Sequence, residues 1–559
     1  MKRILFTCIL AFSVVCAWAQ SAPKWTKKVQ KSIVSVLAYG KDGKLLHSGT
    51  GFYIDANGTA VADYSILRDA YSASVVDASG NKSNVVRILG ADDTYGLVRF
   101  TTDAKKPVPL AIATEIPHKG SSLWTLSFSK DKITECPVAT LKDTTMVMDS
   151  CAYYTLTPAF DTKYVGCPLF NSDGELVATV QPSVQESGYA LDKLFATSLR
   201  IHAVQTKSAN LALDNIHIRK GLPETAEEAL VYIYFKSTTA SNEDYLDMLN
   251  LFIDTYPDNP EGYMRRATPL MDTYQFDAAD SDMQKYLELS ADKDKAHSSV
   301  SSLLYTKLLY QPDSTYSKWN FDVALEHIDK AIELNPKLEY KYQKGQILMA
   351  KKDYDAAYNL YDAINRSADR SPASYYAASL VLDARGDTVT AQIELLDSAL
   401  AMFPDPMPAD AANYVLRRGK LYERAGIYRK AVLDYNKFCY LSNNQVNANF
   451  YYDRSVLETK ARMYQQAVDD INMAVSAEPN NILFLVEKCA LMLRVNMLDE
   501  CVETARKCIS LDPSNSDAYR MLGYALLQKD DKAGALENLN KAVQLGDEGA
   551  KEIINTYIK

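Results

Sequence analysis

A pattern with a period near 34 residues runs through the second half of this chain. In "RRGKLYERAGIYRKAVLDYNKF", Gly419 stands twelve residues before Ala431, and "YRMLGYALLQKDDKAGALENLNKAV" repeats this spacing with Gly523 and Ala535. The matching small residues are Ala279, Ala324, Ala357, Ala391, Ala431, Ala467, Cys501 and Ala535. Their spacings of 45, 33, 34, 40, 36, 34 and 34 residues predict about eight repeated helix pairs.

The physical reason for the repeat is close helix packing. Two antiparallel helices approach closely only where the side chains between them are small, and each pair leaves an apolar face that the next pair covers. The pattern resembles the tetratricopeptide repeat family over residues 224–559. This resemblance implies an all-α solenoid that binds a peptide or protein, and its tyrosines suit a binding surface. They include Tyr342, Tyr354, Tyr361, Tyr375, Tyr376, Tyr422, Tyr435, Tyr451 and Tyr452.

Residues 25–205 have a different character, with short β-rich runs such as "SIVSVLAYG" and "NVVRILGA" between Gly, Asn and Asp. These runs predict an all-β domain. Four segments occur in the order and spacing of the trypsin-like serine proteases, most closely their bacterial high-temperature-requirement branch. They are "SGTGFYIDANGTAVADYSIL" (48–67), "ADDTYGLVRF" (91–100), "VGCPLFNSDGELVATV" (165–180) and "GYALD" (188–192). The resemblance implies a double β-barrel.

The same resemblance locates the positions of the protease triad. The family's histidine, aspartate and serine correspond to Ser65, Tyr95 and Val165. Lys163 stands where a glycine helps to shape the oxyanion hole, and Cys167 lies beside the proline rather than at the nucleophile position. Because triad residues act as a unit, this departure implies a protease fold with no catalytic residues.

The cysteines leave two alternatives open in each half of the chain. Cys136, Cys151 and Cys167 allow one disulfide, for which Cys136–Cys151 is the best candidate, or simple core packing of all three. In the solenoid, Cys489, Cys501 and Cys508 take the small-residue positions of one repeat. We interpret them as small apolar residues, with a Cys489–Cys501 disulfide as the alternative.

The first residues predict export from the cytoplasm. Lys2 and Arg3 precede an apolar run, and Ala17-Trp18-Ala19 fits a cleavage signal, so we expect a signal peptide over residues 1–19 and a periplasmic or secreted protein. A lipoprotein attached through Cys16 is the alternative. We expect a linker over residues 206–223, which ends at the boundary Gly221-Leu222-Pro223.

Composition narrows the range of partners and cofactors. The net charge of −9 argues against nucleic acid or an anionic membrane as the main partner, since both favour clustered Lys and Arg. The sequence has no Walker-type glycine loop, no HExxH and no CxxC pair, so we predict no cofactor and no metal.

Two function classes remain. The first is an exported interaction scaffold, with an inactive trypsin-like domain and a solenoid that binds another polypeptide. A peptide could also occupy the cleft of the β domain. The second class is a residual serine-type peptidase that its repeat domain regulates.

Overall fold

The computed structural model describes residues 22–134, 136–147, 151–204, 206–311 and 316–558. The predicted signal peptide and Cys16 lie outside these ranges. Contacts divide the chain into two compact units, Met1–Ala291 and Asp292–Lys559. None of the helices in the described part of the chain has the length and apolar character that crossing a bilayer requires.

The first unit contains two closed antiparallel barrels of six strands each. The first barrel comprises β1 (Ile33–Tyr39), β2 (Leu45–Tyr53), β3 (Thr59–Asp63), β4 (Ser72–Val76), β5 (Lys82–Asp92) and β6 (Leu97–Thr102). The second comprises β7 (Ser122–Thr125), β8 (Val138–Val147), β9 (Cys151–Thr157), β10 (Pro168–Phe170), β11 (Leu176–Val184) and β12 (Ser187–Asp192).

Both barrels have the same topology. The strand order is β1-β2-β3-β6-β5-β4 in the first and β7-β8-β9-β12-β11-β10 in the second. Each barrel closes where its first strand pairs with its fourth. Alternate residues of β1, namely Val34, Val36 and Ala38, are fully buried, as expected for a strand with one face on a core. The predicted trypsin-like double barrel is therefore confirmed as a fold.

Six helices accompany the barrels in the first unit before the repeats begin. They are α1 (Thr26–Val29), α2 (Tyr64–Leu67), α3 (Lys193–Ser198), α4 (Lys207–Asp214), α5 (Ala226–Lys236) and α6 (Asn242–Thr255).

The segment over residues 206–223, which the sequence predicts to be a linker, packs on the first barrel. Ala212 and Leu213 of α4 join the same buried cluster as Val98 and Phe100 of β6. The N–H of Gly221 donates to the carbonyl oxygen of Ile88 at 2.8 Å. The packing of α4 is that of an amphipathic helix, which places its apolar face on a core. The domain boundary near residue 224 stays a prediction.

Helix pairs form the rest of the chain. They are α7 (Pro260–Asp272) and α8 (Phe276–Leu289), α9 (Lys293–Tyr310) and α10 (Phe321–Leu334), α11 (Leu338–Lys351) and α12 (Tyr354–Asn365), α13 (Pro372–Arg385) and α14 (Val389–Leu400), α15 (Ala412–Arg424) and α16 (Tyr428–Leu441), α17 (Ala448–Lys460) and α18 (Tyr464–Ala477), α19 (Ile482–Arg494) and α20 (Leu498–Leu511), and α21 (Ser516–Gln528) and α22 (Lys532–Gln544), followed by α23 (Glu548–Tyr557). The described residues thus contain the eight pairs that the repeat spacing predicts.

The predicted small residues lie near the start of the second helix in every pair. Seven of the eight are fully buried, as close packing requires, but Ala391 is only partly buried. In that pair the neighbouring Gln392 is fully buried instead. Its side-chain amide donates to the carbonyl oxygen of Asp387 at 3.3 Å, so the buried polar group has a partner. The prediction that Ala391 is the buried residue of this pair is therefore wrong by one residue, because Gln392 is buried instead.

Buried ion pairs connect the two helices of several pairs. Arg266 binds Asp282, Arg418 binds Asp434, and Arg454 binds Asp470, each through two guanidinium nitrogens. The partners are sixteen residues apart in all three cases. We call these contacts the interhelix Arg–Asp pairs. They fix the register of the two helices in addition to the apolar packing.

Candidate functional site

Three loops of the barrel unit converge on Asp63, at the end of β3. The Asp63 carboxylate accepts a hydrogen bond from the N–H of Ser65 at 2.8 Å and one from the Ser65 hydroxyl. A side-chain Cβ placed on Gly96 would lie 3.6 Å from Asp63 Oδ2. A Cβ on Gly166 would lie 2.7 Å from Asp63 Cβ, and Gly166 has φ +77°, so only glycine fits there. The structure thus brings together the loops of the predicted triad positions.

Tyr95 lies in the loop between β5 and β6. Its N–H donates to Asp92 Oδ1 at 2.7 Å, and its ring packs edge-on against Phe195 of α3, with ring centroids 5.1 Å apart. The N–H of Tyr64 donates to the carbonyl oxygen of Gly96 at 2.9 Å, which joins this loop to α2. At the predicted aspartate position, the structure therefore holds an aromatic packing residue.

Val165 follows a single turn of 3-10 helix over Thr162–Tyr164. Within this turn the N–H of Val165 donates to the carbonyl oxygen of Thr162 at 3.1 Å. The N–H of Lys163 donates to Asp161 Oδ1, also at 3.1 Å. An oxyanion hole needs N–H groups aimed at the developing negative charge of a substrate. Both N–H groups that correspond to that hole already have partners inside the loop.

Cys167 is fully buried one residue beyond Gly166. Burial raises the pKa of its thiol to about 12, so the group is a neutral thiol at neutral pH. Because the thiolate is the reactive form, Cys167 is a poor nucleophile here. Cys136, Cys151 and Cys167 are all buried free thiols, and the candidate Cys136–Cys151 disulfide is absent among the described residues.

The repeat cysteines also pack as apolar residues. Cys489, Cys501 and Cys508 are completely buried free thiols. The Sγ of Cys501 lies 3.6 Å from the carbonyl oxygen of Cys489, so the two residues are in contact without a bond between their sulfur atoms. The described residues contain no group of three or more His, Cys, Asp or Glu side chains arranged for a metal.

A second candidate site is a cavity of about 520 Å³ in the repeat unit. It lies between α13 and α15, which are the first helices of two successive pairs. We call it the α13–α15 pocket. Its lining residues are Tyr376, Asp383, Asn413, Tyr414, Leu416, Arg417, Lys420, Leu421 and Arg424. Aromatic and apolar side chains therefore share this pocket with three cationic ones.

Asp383 supplies the acidic group of this pocket, and two arginines bind its carboxylate. Its carboxylate accepts hydrogen bonds from Arg424 at 2.8 Å and from Arg417 at 3.3 Å. Although burial acts to raise it, the pKa of Asp383 is lowered by these hydrogen bonds and positive charges. Asp383 thus stays ionised and orients both guanidinium groups. The exposed ammonium group of Lys420 adds a further positive charge to the lining.

Two buried polar atoms on this face have no hydrogen-bond partner among the described residues. They are the Nε of Arg417 and the hydroxyl of the fully buried Ser379, one turn of α13 from Asp383. The guanidinium of Arg417 also lies 5.7 Å from the ring centre of Tyr376, which packs edge-on against Tyr414. Both atoms are shielded within the protein beside the pocket, and an unpartnered buried polar group is costly.

Sequence reasoning missed this pocket, although one signal for it exists. Arg417, Lys420 and Arg424 are spaced three and four residues apart, which places them on one face of α15. Of the nine tyrosines in the predicted set, Tyr376 lines the pocket, whereas Tyr361, Tyr422 and Tyr435 are buried.

The comparisons with known proteins fit this architecture. Residues 319–374 match the tetratricopeptide repeat family. A DnaJ protein P58IPK homolog of Arabidopsis thaliana is 24% identical over 310 residues, which cover 54% of this chain and 58% of that protein. The Hsp70-Hsp90 organizing protein of Triticum aestivum is 20% identical over 222 residues, or 38% of this chain and 36% of that protein. The chain thus spans little more than half of the first relative's length.

A solved structure, the serine endoprotease from Yersinia pestis, is also similar. It shares 17% identity with 32% of this chain and 65% of its own, with a TM-score of 0.28. The barrel assignment therefore rests on strand pairing rather than on this likeness. The helical region has the architecture of a tetratricopeptide solenoid, with the family match over residues 319–374, and the barrels of the first unit have the trypsin-like arrangement.

Proposed function

We propose that this protein binds another polypeptide through the α13–α15 pocket. The observation that carries the proposal is the cavity of about 520 Å³, in which Tyr376 and Tyr414 lie beside three cationic side chains. Its cationic lining, with Asp383 already bound to two arginines, favours an acidic group on the ligand. The tyrosine and leucine side chains favour an apolar neighbour of that group. An Asp, Glu or C-terminal carboxylate beside an apolar residue has this chemistry.

The comparisons support polypeptide binding as the general class of function. Tetratricopeptide repeats form extended surfaces that bind other chains, and the name of the Triticum aestivum relative refers to organising two other proteins. The partner of this chain is identified only by its chemistry.

The binding experiment uses peptides selected against the full chain from a random display library. We expect acidic peptides with an apolar neighbour to be enriched and to bind in fluorescence anisotropy. Lys420→Glu should abolish this binding by reversing a charge in the lining. Lys437→Glu is the matched control, because Lys437 is exposed on α16 and stacks on Tyr440. Equal binding by the wild type and Lys420→Glu would reject the pocket as the site.

We further propose that the barrel unit is a protease fold without proteolytic activity. Ser65, Tyr95 and Val165 stand at the predicted triad positions, and the Lys163 and Val165 N–H groups already have partners. A serine-reactive fluorophosphonate should leave the barrel unit unlabelled, and unstructured casein should stay intact. Labelling together with cleavage would instead support the alternative, a serine-type peptidase that the repeats regulate.

We also propose that the protein is exported, on the basis of its charged start, its apolar run and Ala17-Trp18-Ala19. Mass spectrometry of the protein isolated from its native cells should then find Gln20 as the first residue. A chain that retains Met1 would contradict export by this route, and a lipid on Cys16 would favour the lipoprotein alternative.

A further inference from the structure

Two histidines face each other across the first helix pair of the second unit. His297 lies on α9 and His327 on α10, thirty residues later. Their Nδ1 atoms are 2.9 Å apart, and the ring centroids are 5.2 Å apart. Both side chains are half-buried, so solvent reaches the pair. The chain has only six histidines, and two of them meet at this point.

The short distance between the nitrogens defines the chemistry of the pair. One Nδ1–H donates to the lone pair of the other Nδ1, so the two nitrogens lie close enough to bind one ion after a small rotation of the rings. A metal ion with metal–nitrogen distances of about 2.0–2.1 Å and ligands at right angles holds adjacent nitrogens about 2.9 Å apart. Tetrahedral coordination would require about 3.3 Å. The distance of 2.9 Å in the metal-free pair is compatible with ligands at right angles.

Charged groups surround this pair on both helices. Lys330 and Lys293 place positive charge near His297. Glu326 lies close enough to both imidazoles to interact with them electrostatically, although its carboxylate also binds Lys330 at 2.7 Å. The acidic Glu326 favours a bound cation and the two lysines oppose it. The affinity of the histidine pair for a metal ion should therefore be moderate.

We propose that His297 and His327 bind one divalent transition-metal ion, with Cu²⁺ preferred over Zn²⁺, through their two Nδ1 atoms. Imidazole nitrogens suit Cu²⁺, which has the highest affinity among the first-row divalent ions and prefers square-planar geometry. On binding, the proton of the donating Nδ1 moves through solvent to Nε2 of the same ring. Both Nδ1 lone pairs then bind the metal, and water completes its coordination.

The test is Cu²⁺ titration of the full chain without a histidine tag, followed by electron paramagnetic resonance. We expect one Cu²⁺ bound with moderate affinity and with hyperfine coupling from two imidazole nitrogens. His297→Ala and His327→Ala should each lose the two-nitrogen signal, whereas His47→Ala, on the exposed part of β2, should keep it. An unchanged spectrum in either site variant would overturn the proposal.

A second measurement needs no variant. Diethylpyrocarbonate modifies accessible histidines, and mass spectrometry locates the modified residues. With Cu²⁺ present, His297 and His327 should be protected while the exposed His47 still reacts. Equal modification of His297 with and without Cu²⁺ would exclude the site, even if a site variant failed to fold.

Discussion

Two backbone N–H groups of the barrel unit illustrate what residue identity alone does not specify. The resemblance to trypsin-like proteases predicts that Lys163 and Val165 stand at positions that would form an oxyanion hole in an active enzyme. In this loop, Asp161 accepts the N–H of Lys163 and the carbonyl oxygen of Thr162 accepts that of Val165. Because these hydrogen bonds involve backbone N–H groups, we expect them to persist when the side chains at the predicted triad positions change.

The first prediction concerns restoration of the triad. The variant with Ser65→His, Tyr95→Asp and Val165→Ser should show no casein cleavage above the wild type. Its loop would still lack free N–H donors, and the loss of one such donor costs about a hundredfold or more in rate. A fluorogenic casein assay measures this. The control is a fourth change, Lys163→Gly, added to the triple variant. Substantial cleavage by the triple variant alone would show that the loop rearranges easily.

The second prediction concerns Glu458, which is 2% exposed on α17 with its Oε2 lacking a hydrogen-bond partner among the described residues. Burial and the nearby Asp470 raise the pKa of Glu458. The folded protein therefore holds this proton more tightly than the unfolded chain. A raised pKa means that the stability contributed by this group is lost as pH rises above the ordinary glutamate range.

Glu458→Gln mimics the protonated carboxyl, so it should stabilise the protein at pH 8 and have little effect at pH 4. The expected gain at pH 8 is at least about 1.4 kcal/mol in unfolding free energy, which is the value of a single unit of pKa. Urea unfolding at both pH values measures it. Glu500→Gln, exposed on α20, should show no such difference. A Glu458→Gln protein less stable than wild type at pH 8 would refute the assignment.

At the scale of helices and strands, packing that repeats in the sequence is the part that could be predicted. The eight helix pairs follow from small residues at regular spacing, because close helix contact excludes larger side chains at those positions. The burial of Gln392 could not be predicted, because spacing alone does not indicate that its amide has a backbone partner. The α13–α15 pocket escaped prediction because its lining comes from two helices that no local motif connects.

The third prediction concerns the interhelix Arg–Asp pairs. Asp434 is buried and bound by two nitrogens of Arg418, so Asp434→Ala leaves the half-buried Arg418 with only Asp397 as a carboxylate partner among the described residues. We expect a loss of about 3 kcal/mol in unfolding free energy. Adding Arg418→Met should restore much of that loss.

The control for this cycle is Arg366→Ala, which breaks an exposed ion pair with Asp362 on α12. It should change stability by less than about 1 kcal/mol. Chemical denaturation of the single and double variants gives the coupling energy. Additive effects of Asp434→Ala and Arg418→Met would show that the pair does not stabilise the helix contact.

At the scale of the whole molecule, the first unit extends beyond its barrels. Arg87 of β5 binds Asp247 of α6 through two hydrogen bonds of 2.6 and 2.9 Å. Ala229 of α5 and Phe252 of α6 lie in the same buried cluster as the residues of the first barrel. These contacts attach α5 and α6 to the barrel, although their sequence resembles the start of the solenoid.

The fourth prediction follows from this attachment. A protein that starts at Asp292 should fold alone, because stacked repeats contact mainly their neighbours. A protein that starts at Glu224 should expose Ala229 and Phe252 and therefore bind the dye ANS. Circular dichroism and ANS fluorescence separate these outcomes. A cooperative, ANS-negative protein from residue 224 onward would show that α5 and α6 do not depend on the barrel.

Native mass spectrometry tests the central claim, a polypeptide-binding protein without proteolysis, most directly. The full chain is incubated overnight with an acidic peptide from the display selection and then weighed with its ligand. We predict a complex that contains one peptide of intact mass, and no complex with Lys420→Glu. Peptide fragments with the wild type, or an undiminished complex with Lys420→Glu, would contradict the claim.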